Sequence, residues 1–322
     1  MVHQTFGASS PIKLRHRTMK LLSLFFLVAS VVFLSVYIFS HSNLLTNNYH
    51  IPEDTDAFDE DHSKISDLST DSVSQGSYLP SAVDFQSAID VFSASSGGQK
   101  SVLIYDIERQ ELVNSYNPDS VYNTASLYKL FVVYEGYRRI DSNEWDQNAM
   151  AGATGLSIID CLDLSIRESN SACAETLWGM IDHTSLDNII KNDYGIIHSD
   201  ISRLSSTPED IMSIMQLFYD HPHISSVELI ARVKDSFLNQ PVTSYNWRQG
   251  LPSGFARANV YNKVGWDYNP NIHNWNVYHD AAIIEFPEEN RHFIVVVMTT
   301  QTPFQQITNL GSQIEDIFYK SY

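Results

Sequence analysis

From Leu21 to Ser40 the chain reads LLSLFFLVASVVFLSVYIFS, an uncharged run about as long as a bilayer-spanning helix needs. Lys13, Arg15, Arg17 and Lys20 precede it, and no charge follows until Glu53. That asymmetry predicts a cytoplasmic basic tail at residues 1–20, a single-pass anchor at 21–40 and a C-terminal bulk outside the cytoplasm. A cleaved signal peptide is the rival reading. The run is longer than a usual signal core, however, and no small-x-small cleavage site follows it closely.

Beyond His41 the sequence turns polar and acidic, with EDTDAFDEDHSKISDLSTDSVSQGS as its centre. Burial of so few apolar groups cannot offset the entropy of ordering, so residues 41–85 are expected to be a disordered acidic linker. A linker there would hold the remaining chain off the membrane; an acidic binding tail is the alternative. Residues 86–322 are left to form the folded domain, enough for one sizeable core. A formal net charge of -18, with no basic stripe outside residues 1–20, excludes a nucleic-acid binder. The two cysteines, Cys161 and Cys173, cannot build a disulfide framework or a tetrahedral zinc site alone. With no base evident beside either, they read as a structural pair rather than catalytic thiols, and outside the cytoplasm one disulfide between them is open.

Periodicity then orders the folded part. Ser101 to Asn117 reads as two short strands around a polar turn at Glu108–Gln110. Ser126 to Ile140 has the spacing of an amphipathic helix, and further helices are expected over Ile159–Glu168, Ala172–Ile181 and Pro208–Tyr219. Thr207 is a natural N-cap for the last of these, with Pro208 in its first position. ANVYNKVGW, HDAAIIEF and HFIVVVMTT are strands, and Gln306 to Tyr319 closes with a helix. The order predicts an α/β (α+β) fold: an antiparallel sheet flanked by helices, with an inserted helical lobe.

Chemistry concentrates at three places. Ser126-Leu-Tyr-Lys129 sets a hydroxyl and an amine three positions apart, on one helical face. A serine becomes a nucleophile when a base takes its proton, and a lysine of depressed pKa can do so. The pattern S-x-x-K is cheap, and Ser10-Pro-Ile-Lys13 repeats it in the tail, so it needs company. Ser169-Asn170-Ser171 opens a helix, and Lys263-Val264-Gly265 lies in a strand. In order and context these three resemble the signature of serine β-lactamases and penicillin-binding proteins: S-x-x-K, S-D-N and K-T-G. DCLDLSIRESNSACAETL, STPEDI, RQGLPSGF and the last two strands are similar to the corresponding stretches of that family, over about residues 86 to 322.

The resemblance implies catalytic roles for Ser126, Lys129 and Ser169, and substrate contacts from Ser171, Lys263, Val264, Gly265 and Trp266. In that pattern Ser126 attacks a carbonyl, Lys129 takes its proton and Ser169 relays one to the leaving amine. Lys263 adds positive charge that depresses Lys129 and attracts a carboxylate, and the N–H groups of Ser126 and Trp266 cradle the oxyanion. Gly265 would let the substrate backbone lie against the strand. The implied substrates are β-lactams or peptidoglycan stem-peptide amides ending in D-alanine, with no metal or organic cofactor. Three departures stand out. Ser171 replaces an asparagine, Val264 replaces a threonine, and Tyr194 to Pro208 contains no glutamate. The last disfavours efficient lactam hydrolysis and favours a carboxypeptidase, a transpeptidase or a slow acyl-enzyme. The alternative from another class is a catalytically silent relative that binds cell-wall peptide or a partner protein. His221, His223 and the pair His279–Asp280 invite metal or triad readings, which the intervening Pro222 and strand alternation disfavour. Tyr245, Trp247, Trp266, Trp275 and Tyr278 are candidates to line a cleft or to pack in the core.

Overall fold

The computed structural model describes residues 80–242, 245–268 and 276–320. The expected basic tail, anchor and most of the linker lie outside them, as does Trp275. Among the described residues no helix is long and apolar enough to cross a membrane.

The fold begins with helix α1 (Ala82–Ala94), so residues 82–85, expected as linker, are helical instead. Phe85, Ile89 and Phe92 recur at helical spacing and are buried, which is what orders the segment. Strands β1 (Lys100–Asp106) and β2 (Glu111–Tyr116) follow as a hairpin. After the short strand β3 (Tyr122–Asn123) and a 3-10 turn (Ala125–Leu127) comes α2 (Tyr128–Asp141). The helical lobe then comprises α3 (Ile158–Arg167), α4 (Ser171–Ile181) and α5 (His183–Asn192). The two-residue strand β4 (Ser205–Ser206) precedes α6 (Pro208–Asp220) and α7 (Val227–Leu238). Finally β5 (Asn259–Asp267), β6 (Val277–Phe286) and β7 (Arg291–Thr300) lead into α8 (Phe304–Lys320).

The sheet is antiparallel in the order β2-β1-β7-β6-β5. Its central strand β7 is buried from Phe293 to Thr299, because helices cover both faces. Alternation divides the strand between two cores. Val295 and Val297 meet α1 and α8 through Phe85, Phe92, Ile307 and Phe318, whereas Ile294, Val296 and Met298 meet the helical lobe. Helix α2 runs through the middle of that lobe and is buried on nearly every side, so the expected amphipathic stripe is absent. Its Glu135 is buried with its charge matched: Arg138 Nε donates to it at 2.7 Å, Arg139 Nε at 2.6 Å and Tyr194 Oη at 2.6 Å.

Two devices fix the parts that matter next. A disulfide joins Cys161 of α3 to Cys173 of α4, Cα–Cα 4.9 Å, and so pins the turn between them that carries Ser169. The short sheet β3–β4 pairs Tyr122 with Ser206 and Asn123 with Ser205, which ties the chain just before Ser126 to the start of α6.

Candidate active site

Ser126 sits in the 3-10 turn at the entrance to α2, half-buried, with Ala125 before it at φ +43°. A left-handed conformation is costly for alanine and persists only where the surroundings impose it. Here they do. Ala125 N–H donates to Asn123 Oδ1 (2.8 Å), Thr124 N–H to Leu204 O (2.8 Å) and Leu127 N–H to Thr124 O (2.9 Å). His279 secures the same turn from β6. Its Nδ1 accepts from Thr299 N–H (3.0 Å), so Nε2 carries the proton and donates to Asn123 O (2.7 Å). Burial pushes this imidazole down to about 4, keeping it neutral in that role at neutral pH. Asp280 points to the opposite face, accepting from Asn262 Nδ2 (2.9 Å) and Leu251 N–H (2.7 Å), so the two form no triad.

Lys129 is the second residue of α2 and is fully buried. Its Nζ donates to Ser169 O (2.5 Å), Ser169 Oγ (3.2 Å) and Ser171 Oγ (3.1 Å). These acceptors occupy all three protons of an ammonium, and the expected bond to Ser126 Oγ is not among them. Only the neutral amine has a lone pair to offer the nucleophile. Burial depresses Lys129 to about 8, with Glu175 opposing the shift.

Lys263 comes from β5, the edge strand, and is also buried; its Nζ donates to Ser169 Oγ (2.9 Å) and Val264 O (2.8 Å). Its pKa is held well below the ordinary lysine value, first by burial and then by the charge of Lys129. Burial is thus the first cause of the depression in both amines. Ser169 Oγ stands between both amines. Ser169 itself adopts φ +54°, which turns its carbonyl as well as its hydroxyl onto Lys129. Asn170 caps α4 by accepting from Cys173 N–H (3.0 Å), so Ser171 and not Asn170 meets the lysine. Glu168, which a one-residue shift of the motif would substitute for Ser169, is exposed.

One expectation on β5 changes. Val264 is fully buried in the core between the sheet and α1/α8, because alternation sends its side chain away from Lys263; only its carbonyl faces the site. Trp266, two residues on, shares that orientation: its side chain packs toward the same core, and its N–H points to the side Val264 O occupies. Gly265 is constrained by its own chain. A Cβ there would lie 2.7 Å from Thr124 O and 3.0 Å from Leu127 Cγ, so glycine lets the turn bearing Ser126 approach the strand.

Tyr128 and Glu175 were not legible as site residues. The Tyr128 ring packs on Trp178 (5.2 Å between centroids) and lies 5.8 Å from Lys129 Nζ; its Oη donates to Glu175 Oε1 at 2.6 Å. The signal was available: Glu175 follows Ser171 by four positions on α4, hence on the same side. Of the candidate cleft aromatics, Tyr245, Trp247 and Trp266 gather with centroids 5.2, 5.4 and 6.4 Å apart, while Tyr278 packs on Phe304 at 5.3 Å. His221 caps the end of α6 at φ +52°, and His223 stacks on Tyr194.

This antiparallel sheet with its helical lobe is the fold of serine β-lactamases and penicillin-binding proteins. An ancestral class A β-lactamase superposes with a TM-score of 0.63 at 15% identity, over 73% of this chain and 100% of the other. A structure of PBP-A gives 0.61 at 14%, over 75% and 99%. A β-lactamase from Desulfarculus baarsii gives 0.63 at 12%, over 73% and 97%. The model of the beta-lactamase enzyme family matches residues 84–322, and the chain belongs to that family. Comparison with curated proteins gives no match.

Proposed function

We propose that this chain is a membrane-anchored serine hydrolase acting outside the cytoplasm on acyl amides, either β-lactams or D-alanyl peptides, through an acyl-enzyme on Ser126. The observation that carries the reading is the Ser169 hydroxyl, 3.2 Å from Lys129 Nζ and 2.9 Å from Lys263 Nζ, with Lys129 on the helix that the turn bearing Ser126 leads into. Neutral Lys129 takes the Ser126 proton as Oγ attacks the carbonyl. The N–H groups of Ser126 and Trp266 receive the oxyanion, each such donor being worth about 3 kcal/mol of barrier. Ser169 passes a proton to the leaving nitrogen, and Lys263 receives the substrate carboxylate, which favours its charged form. The anchor rests on the run Leu21–Ser40 and the basic residues before it.

A fluorescent penicillin tests the reading. Covalent labelling of the full chain that disappears in Ser126→Ala supports it. No labelling at high reagent concentration would support a silent relative that binds cell-wall peptide, the reading favoured by Ser171 and by Val264, whose buried side chain cannot grip a ligand.

A further inference from the structure

Having passed the Ser126 proton on, Lys129 is a neutral amine again, but it sits among acceptors that suit an ammonium and takes a proton back from solvent before release. Releasing the acyl group needs a second base to deprotonate water. Tyr194 to Pro208 offers one carboxylate, Asp200, and it is committed, accepting from Arg203 N–H (3.2 Å) and Ser202 Oγ (2.6 Å). Asp280 and Asp163 are buried and hydrogen-bonded on other faces.

Glu175 is different. It is exposed on α4, one turn after Ser171, whose Oγ is 3.1 Å from Lys129 Nζ. The Tyr128 phenol holds Oε1 at 2.6 Å, and the buried Tyr128 ring against Trp178 fixes where that phenol lies. One carboxylate oxygen is thus anchored, and Oε2 accepts no hydrogen bond from a described residue. The anchor matters because an exposed glutamate otherwise samples many rotamers, and a general base must be held within hydrogen-bond reach of its proton.

We propose that Glu175 is the general base of deacylation, positioned by Tyr128, and that the acyl acceptor of this chain is therefore water. The inference rests on the acyl-enzyme reading above. Glu175 takes a proton from water as the water oxygen bonds to the acyl carbon. The tetrahedral intermediate then breaks its bond to Ser126 Oγ, which recovers a proton from the Lys129 ammonium. The acid leaves, and the proton on Glu175 returns to the neutral lysine.

The experiment labels the full chain with fluorescent penicillin, chases with unlabelled penicillin and follows loss of the adduct. Glu175→Gln is expected to lengthen the adduct lifetime at least about tenfold, more than it changes the labelling rate. Glu175→Asp restores part of the rate, Tyr128→Phe costs about threefold to tenfold in release by loosening the carboxylate, and Asp200→Asn stays within about twofold, since no base is removed. A Glu175→Gln lifetime within about twofold of native, or a native adduct that never turns over, overturns this role while leaving the acyl-enzyme intact. No adduct in the native chain overturns the acyl-enzyme reading itself and this role with it.

Discussion

Replacing Lys129 with methionine separates the cost of this residue from its use. The amine is fully buried with no carboxylate bonded to it, and burial lowers it from 10.5 to about 8. A fall of that size corresponds to about 3 kcal/mol by which the protonated form destabilises the fold at neutral pH. Methionine of similar length removes that term but leaves the Ser169 carbonyl without its donor, a loss of about 1–2 kcal/mol. Lys129→Met is therefore expected to gain about 1–2 kcal/mol at pH 7, measured by denaturant unfolding. The sign follows from linkage: between about 8 and 10.5 the unfolded chain binds the proton and the folded chain does not, so native stability rises across that window. In Lys129→Met that rise should be absent. Labelling should move the other way, falling about 10²- to 10⁴-fold with the loss of the base. In the native chain the neutral fraction is about one-tenth at pH 7 and about nine-tenths at pH 9, so labelling should climb about ninefold between them and level off. A flat labelling profile from pH 6 to 9, or a variant that is both less stable and fully reactive, would refute the reasoning.

Burial pushes Asp280 up from 3.8 to about 7, so the folded chain favours its protonated form. Its contribution is present below pH 4 and is lost as pH rises through 7, amounting to about 4 kcal/mol, and Asp280→Asn should flatten the fall in stability measured between those limits. Gly265→Ala should cost about 1–3 kcal/mol in thermal unfolding and slow labelling, because its Cβ meets the backbone of the turn that carries Ser126. Removing the Cys161–Cys173 bridge by paired alanines should cost about 2–4 kcal/mol and loosen the Ser169 turn, read as slower labelling beyond the loss in stability.

The sequence by itself determined the elements whose period is long and clean. The strand runs at Asn259–Asp267, Val277–Phe286 and Arg291–Thr300, the helix capped by Thr207 and the closing helix all fall close to where their patterns put them. Helices α1, α5 and α7 went unassigned, although Phe85, Ala88, Ile89 and Phe92 in α1 carry the helical spacing. Motif order likewise brought Ser126, Lys129, Ser169 and Lys263 together as a hypothesis, since local signatures survive in sequence where their surroundings do not. Tertiary structure alone decided how they meet. That both amines are buried, whether Lys129 points at Ser126 or at Ser169, and why residue 265 must be glycine depend on β5 lying against the turn before α2, contacts between segments far apart in the chain. Pairing of Tyr128 with Glu175 depends equally on two helices packed side by side. Desolvation and cross-strand distance are properties of the packed chain, and no local pattern of residues encodes them.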